Sequence, residues 1–131
     1  MRVSAKRRKG YAHSLTAGHH TLIADEPEDK GGSDTGASAT QLLALSLAVC
    51  TAITVEMYAD RKQWDVGDPT VEVDYDLNRE GKSRFDLTIT LPTDLSDQQV
   101  ERLKVIAGKC PVHRALIGDV EINDRVERRS G

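Results

Sequence analysis

The sequence predicts an α+β domain organised around one long helix, and three features point to it. Ser38-Ala39-Thr40-Gln41 is a capping box, with no glycine or proline after it before Gly67. Further on the apolar period becomes two. Val71, Val73, Tyr75 and Leu77, then Phe85, Leu87, Ile89 and Leu91, alternate with polar residues across a turn around Glu80-Gly81-Lys82, the pattern of an antiparallel hairpin. At 131 residues the chain has the size for one core, so these elements are read as a single domain, residues 1–131.

The elements follow in order. Arg2 to Asp25 holds two or three short strands broken by turns at Gly10 and Ala17-Gly18. The basic run Arg2, Lys6, Arg7, Arg8 and Lys9 reads as a solvated strand edge that resists aggregation. Glu26 to Gly36 combines proline, three glycines and charge, which suits a loop; it lacks the Gly-Lys-Ser/Thr ending of a phosphate loop. The helix opened by Ser38 can run to about Trp64, roughly 39 Å at 1.5 Å per residue. Its first half, Leu42 to Ile53, is apolar almost all round, which a domain this small cannot easily enclose alone. A dimer around that half is expected.

After the hairpin, whose apolar face should cover the long helix, Leu95-Ser96-Asp97-Gln98-Gln99-Val100 forms a second capping box with a Leu95–Val100 hydrophobic staple. The helix it opens should turn Val100, Leu103, Ile106 and Ala107 inward and end at Gly108. Cys110 to Leu116 reads as a short helical turn with Pro111 at its first position, Val120-Glu121-Ile122 as a last strand, and Arg125 to Gly131 as a frayed tail.

Composition narrows the function. Only 4% of residues are aromatic, and 18 Lys and Arg stand against 21 Asp and Glu, so no nucleic-acid partner is expected. The apolar run Leu42 to Ile53 is twelve residues long, whereas a membrane span takes about 20, and no secretory leader is visible. A soluble, cytoplasmic protein without membrane partners is expected, in a compartment where thiols stay reduced. No serine stands in a Gly-x-Ser-x-Gly elbow, which sets a hydrolase aside.

The two cysteines remain. Cys50 lies mid-helix among aliphatic residues, where desolvation raises a thiol pKa, and alone it reads as a small core hydrophobe. Cys110 precedes a proline-started turn between Lys109 and His113, so helix-end amides and positive charge favour its ionised form. In so short a chain both elements pack on the same sheet. If the α-carbons come within about 6 Å, the pair could cycle between dithiol and disulfide without a metal. A zinc site from Cys110, His113 and histidines His13, His19 or His20 has only two ligands at local spacing.

Gly31 to Ser38, Gln41-Leu42-Leu43 and Leu47-Ala48-Val49-Cys50-Thr51-Ala52 resemble the central segment of the OsmC/Ohr family, the osmotically inducible and organic hydroperoxide resistance proteins. Ile106 to Leu116, with Cys110-Pro111-Val112-His113, is similar to the family's second-cysteine segment, and Gly18-His19 and Asp25-Glu26-Pro27 resemble a divergent branch. The resemblance implies an intertwined homodimer with antiparallel sheets packed around long central helices and thiol sites at the subunit interface. It also implies a cysteine-based peroxidase with an antioxidant role: Cys50 attacks an organic hydroperoxide or hydrogen peroxide, Cys110 closes the disulfide, and an external thiol or lipoyl reductant reopens it with no bound cofactor and no metal.

In the family's peroxidases an arginine and a glutamate activate the first cysteine. Here Thr40 stands at the glutamate position, and the available arginines, Arg2, Arg7 and Arg8, fall on the first strand; Glu56 or His19 of a partner chain are the candidate substitutes. The alternative function is a non-enzymatic dimeric module that binds a small apolar ligand at the subunit interface.

Overall fold

The long helix forms where Ser38 caps it. In the computed structural model, which describes residues 1–78 and 80–129, the Gln41 amide donates to Ser38 Oγ at 3.3 Å and the Ser38 amide donates to Gln41 Oε1 at 2.8 Å. Two otherwise orphaned amides are thereby satisfied. Helix α1 spans Ala39–Lys62 and stops two residues short of Trp64. Gln63 is left-handed at φ 59°, its amide returns to Asp60 O at 3.1 Å, and the Trp64 amide returns to Ala59 O at 2.9 Å, a Schellman closure formed without glycine.

Along α1, Leu47, Thr51, Val55 and Ala59 are buried, while Leu45, Val49, Ile53 and Met57 are exposed. Each set recurs every four residues, so they are two opposite faces of one helix. The sequence expectation of burial on every side is therefore met on one side within the chain. By length and composition alone α1 is also long and apolar enough to cross a membrane, more than its twelve-residue apolar run suggested; the core helix of a soluble protein passes the same test.

The chain forms two compact units. The first is Met1–Ala48 with Glu72–Leu87. It holds the antiparallel sheet β1 (Val3–Lys9), β2 (Ala12–Ala17) and β3 (His20–Ala24), whose turns at Gly10 and Gly18 take φ 59° and 61°. The basic β1 is exposed throughout, as a solvated edge should be. The loop after β3 contains one 3-10 turn, Glu28–Lys30, where the sequence suggested no helix.

That loop is tied to a single carboxylate. Buried Asp25 accepts from the amides of Glu26 at 2.7 Å, Ser33 at 3.2 Å and Thr35 at 3.1 Å, and from the Thr35 hydroxyl at 2.7 Å. A β-carbon on Gly32 would collide with the Glu26 carbonyl and one on Gly36 with the Ile23 carbonyl, so glycine is required for this close path.

The second unit is Val49–Val71 with the segment from Thr88 onward. Its core is Val55, Ala59, Val66, Leu103 and Ala107, with Tyr58, Trp64, Ile89, Leu91 and Leu95 packed against it. Ile89 belongs to strand β5 (Ser83–Thr90), which pairs with β4 (Thr70–Leu77) in the expected hairpin. The hairpin turn is organised by Asn78, whose Oδ1 accepts from the amides of Glu80 and Lys82, both at 3.0 Å.

Helix α2, Asp97–Ala107, starts at the Ser96–Gln99 capping box and ends at Gly108. It buries Leu103, Ile106 and Ala107; Val100, expected inward, stays 38% exposed on the first turn. Helix α3, Pro111–Ile117, has proline at its start as expected. Val120-Glu121-Ile122 is not a strand. Val120 and Ile122 are exposed and have no ladder partner among the described residues, and apolar alternation makes a strand only where another strand receives its hydrogen bonds. Of the tail, Ser130 and Gly131 lie outside the described residues.

Candidate active site

The second unit brings the two cysteines together. Cys50 sits on the middle of α1 and is partly buried; Cys110 lies between α2 and α3 and is fully buried. Cys110 is the N-cap of α3. With Pro111 at the first helical position, the chain turns so that the His113 amide donates to Cys110 Sγ at 3.5 Å, a place usually filled by a serine or aspartate oxygen. Each thiol shifts the protonation of the other, so two sulfurs 60 positions apart in sequence become neighbours.

Their protonation differs. Burial pushes the Cys50 thiol up, and its hydrogen bond to Cys110 and the charge there push it further. Burial acts on Cys110 in the same direction, but the neighbouring Cys50 thiol and the His113 amide, which donates to its sulfur, outweigh it and hold this thiol below its ordinary value. The pair thus prefers its charge on Cys110 and its proton on Cys50. The expected ordering of the two thiols is the same, although the sequence reading drew on Lys109 and His113 charge as well as helix-end amides, whereas here the Cys50 thiol and the His113 amide lead and burial opposes them.

Thr51 escaped the sequence reading. It is 0% exposed, and its Oγ1 is the one buried side-chain oxygen or nitrogen without a hydrogen-bond partner among the described residues. Its neighbour Thr54 donates instead to the Cys50 carbonyl at 2.7 Å, as helix hydroxyls commonly do.

The other candidates fall elsewhere. Thr40 Oγ1 lies 3.3 Å from Ser38 Oγ at the start of α1. Arg7 Nε donates to the Gly10 carbonyl at 2.7 Å across the β1–β2 turn. His19 is exposed beside His20, ring centroids 4.1 Å apart, and Glu56 is partly buried on α1. Among the described residues no group of three or more His, Cys, Asp or Glu side chains could hold a metal ion, so Cys110 and His113 gain no further ligand.

Antiparallel sheets and a long central helix that carries one cysteine, with a second cysteine capping a short helix, define an α+β protein. The chain belongs to the family described as OsmC-like protein, whose model matches residues 31–123.

Solved structures agree with the fold. A protein from Psychrobacter arcticus, described as an osmotic stress induced and detoxification response protein, is 25% identical with a TM-score of 0.75, covering 86% of this chain and 85% of that one. An OsmC-like protein from Mycoplasma pneumoniae is 16% identical with a TM-score of 0.77 over 89% and 86%. The organic hydroperoxide resistance protein OhrB of Bacillus subtilis is 23% identical with a TM-score of 0.60 over 92% of each chain. A comparison with curated proteins returned no match.

Proposed function

We propose that this protein is a thiol-dependent peroxidase that reduces organic hydroperoxides or hydrogen peroxide through Cys50 and Cys110. The observation that carries the reading is that the two thiols, in one compact unit, act on one another, which helps to raise the Cys50 pKa and to lower that of Cys110. The organic hydroperoxide resistance protein among its structural relatives supports the choice of substrate class.

Cys50 is the more accessible sulfur and attacks. As it does so, its proton passes to Cys110, which acts in its thiolate form. The Cys50 sulfur takes one peroxide oxygen, the O–O bond breaks, and the alkoxide leaves as alcohol (water, for hydrogen peroxide) after protonation. Cys110, ionised again, displaces hydroxide from the Cys50 sulfenic acid; the hydroxide takes a proton and leaves as water. The two thiols are oxidised to one disulfide and the peroxide is reduced by two electrons. An external dithiol or lipoyl group restores the pair, and no bound cofactor takes part.

The working form in this reading is a cytoplasmic homodimer without nucleic-acid or membrane partners. Leu45, Val49, Ile53 and Met57 give α1 an apolar face for the second copy, and the interface would admit an apolar peroxide.

The test is peroxide consumption with a dithiol reductant in wild type, Cys50→Ser and Cys110→Ser, with mass spectrometry for a Cys50–Cys110 linkage after one equivalent of peroxide. Turnover and linkage lost in both variants are expected. Absence of turnover in wild type across several peroxides favours the second reading, a dimeric module binding a small apolar ligand. That reading draws on a groove of about 460 Å³ on the three-stranded sheet, lined by Val3, Ala5, Leu15, Leu22 and Leu42 among others.

A further inference from the structure

Where helix α1 ends, three cations gather on one aromatic ring. Measured to the centre of the Tyr58 ring, the Arg102 guanidinium carbon lies at 5.4 Å, the Lys62 ammonium at 5.7 Å and the Arg61 guanidinium carbon at 6.0 Å. Arg61 and Lys62 follow Tyr58 by three and four residues on α1, so helical geometry puts all three on one face. Arg102 arrives from α2, because its neighbour Leu103 packs with Val55 and Ala59 of α1 and Tyr58 lies against that core.

Like charges brought this close oppose one another unless an anion answers them. No protein anion does. Among the described residues the side-chain ion pairs are Arg84–Asp86 and Arg125–Glu127, and the sequence neighbours Asp60, Asp65 and Glu101 are exposed without joining the three cations. Arg61 and Lys62 complement the carbonyl end of α1, a role that accounts for two of the charges and not for Arg102, which sits mid-helix on α2. The cluster is also fixed in place. Arg102 Nε donates to the Tyr58 hydroxyl oxygen at 2.9 Å, and the Tyr58 ring meets Trp64 edge-on with centroids 5.6 Å apart. With Nε engaged, the two terminal amino groups of the guanidinium remain, and the Tyr58 hydroxyl, accepting through its oxygen, keeps its own proton to donate. The Arg102 hydrogen bond, followed by the charges of Arg102, Lys62 and Arg61, lowers the Tyr58 phenol below its ordinary 10.0 against the effect of burial, as an electropositive surface should.

We propose that Arg61, Lys62, Arg102 and the Tyr58 hydroxyl form a binding site for a tetrahedral oxyanion, a phosphate group either free or carried on a small ester. The planar fork of Arg102 suits two phosphate oxygens, the phenol donates to a third, and Arg61 and Lys62 supply charge. Each cation is exposed, and a single exposed pair is worth little, so the site depends on three of them converging on one anion. It lies within the second unit and is independent of the two-thiol reading.

The test is equilibrium dialysis of the full chain against radiolabelled inorganic phosphate in chloride buffer of fixed ionic strength, with glycerol 3-phosphate as competitor. One phosphate per chain is expected, and the fluorescence of Trp64, the sole tryptophan, should change over the same concentration range. Arg102→Gln should weaken binding about tenfold, and Arg61→Gln, Lys62→Gln and Tyr58→Phe about threefold each. Lys104→Gln removes an equal charge from α2 outside the cluster and should leave the affinity unchanged. Stronger competition by the ester assigns the phosphate group of a larger molecule, and weaker competition the free ion; both support the site. Absence of binding up to about 10 mM phosphate overturns the proposal. So does an equal loss in Lys104→Gln, which would reduce the effect to net charge, or binding that survives Arg102→Gln and leaves Trp64 unmoved. If Arg102→Gln does not fold, Arg102→Lys, which keeps the charge without the fork, and Arg61→Gln are read by the same criteria.

Discussion

The His113 backbone amide donates to the Cys110 sulfur at 3.5 Å, which makes a cysteine the N-cap of α3. An N-cap is where helix amides lack partners inside the helix, so an acceptor placed there is met by N–H groups already in position. Pro111 fixes the geometry: its backbone torsion suits the first helical residue, and its missing N–H is one the helix does not need. The His113 amide helps to lower the Cys110 thiol pKa against the effect of burial.

The first prediction concerns pH. Cys110 is lowered from an ordinary value of 9.0 and Cys50 raised from the same value. For Cys110 the folded state releases its proton more readily than the unfolded chain. Its contribution to stability is fully present above the ordinary thiol range and lost as pH falls through its depressed folded value. Cys50 behaves oppositely, contributing fully below the ordinary range and losing that contribution as pH rises through its elevated value. Thermal unfolding followed from mildly acidic to alkaline pH should therefore show a rise absent from Cys110→Ser and an alkaline decline absent from Cys50→Ser. A wild-type profile parallel to both variants would exclude this assignment.

A second prediction concerns the core behind the site. Leu103 is 1% exposed on α2 and belongs to the cluster that includes Val55 and Ala59 of α1. Leu103→Ala should cost about 2–5 kcal/mol of unfolding free energy in urea titration, since a removed side chain leaves a cavity that its neighbours only partly fill. A cost below about 1 kcal/mol would mean that this core is much looser than its burial indicates.

The elements legible in the sequence were those set by local chemistry. Both capping boxes, at Ser38–Gln41 and Ser96–Gln99, form as written because every partner lies within one turn, and the hairpin follows from its alternation. The OsmC/Ohr likeness was legible from the segments around Cys50 and Cys110. Three features depended on what local sequence does not carry. Val120 and Ile122 alternate like a strand but have nothing to pair with among the described residues. Gln63 ends α1 by adopting a left-handed conformation that residue type would not suggest. Thr51 is fully buried with its hydroxyl unpartnered among the described residues, and as a threonine inside an apolar helix it gives no sign of that.

The third prediction follows from Asp25. Hydrogen bonds to its carboxylate, first from the Thr35 hydroxyl and amide and then from the Glu26 and Ser33 amides, hold its pKa below the usual 3.8 against the effect of burial. Its contribution to stability is present above the usual carboxylate range and lost as pH falls through the depressed value. Asp25→Asn replaces one accepting oxygen with a donor facing amides that also donate. Hydrogen exchange of the Ser33 and Thr35 amides should be strongly accelerated at neutral pH in this variant. In wild type the same amides should lose protection only in strong acid. Unchanged protection in Asp25→Asn would show that glycine packing, and not this carboxylate, holds the loop.

The last prediction addresses the face of α1 that the chain leaves bare. Val49, Ile53 and Met57 are 54%, 46% and 62% exposed, directly opposite the buried stripe, and a glutamate there would be tolerated by an isolated chain but not by a packed helix pair. Burying an unpaired carboxylate between two copies costs several kcal/mol, far more than the lost isoleucine contacts. Ile53→Glu should therefore shift the protein from dimer to monomer by light scattering at micromolar concentration, while the helical circular dichroism of the chain persists. Because Cys50 lies one turn before Ile53 on the same helix, peroxide turnover should fall with the dimer if the second copy completes the site. If Ile53→Glu remains dimeric, this stripe is not the interface and the copies meet through another surface.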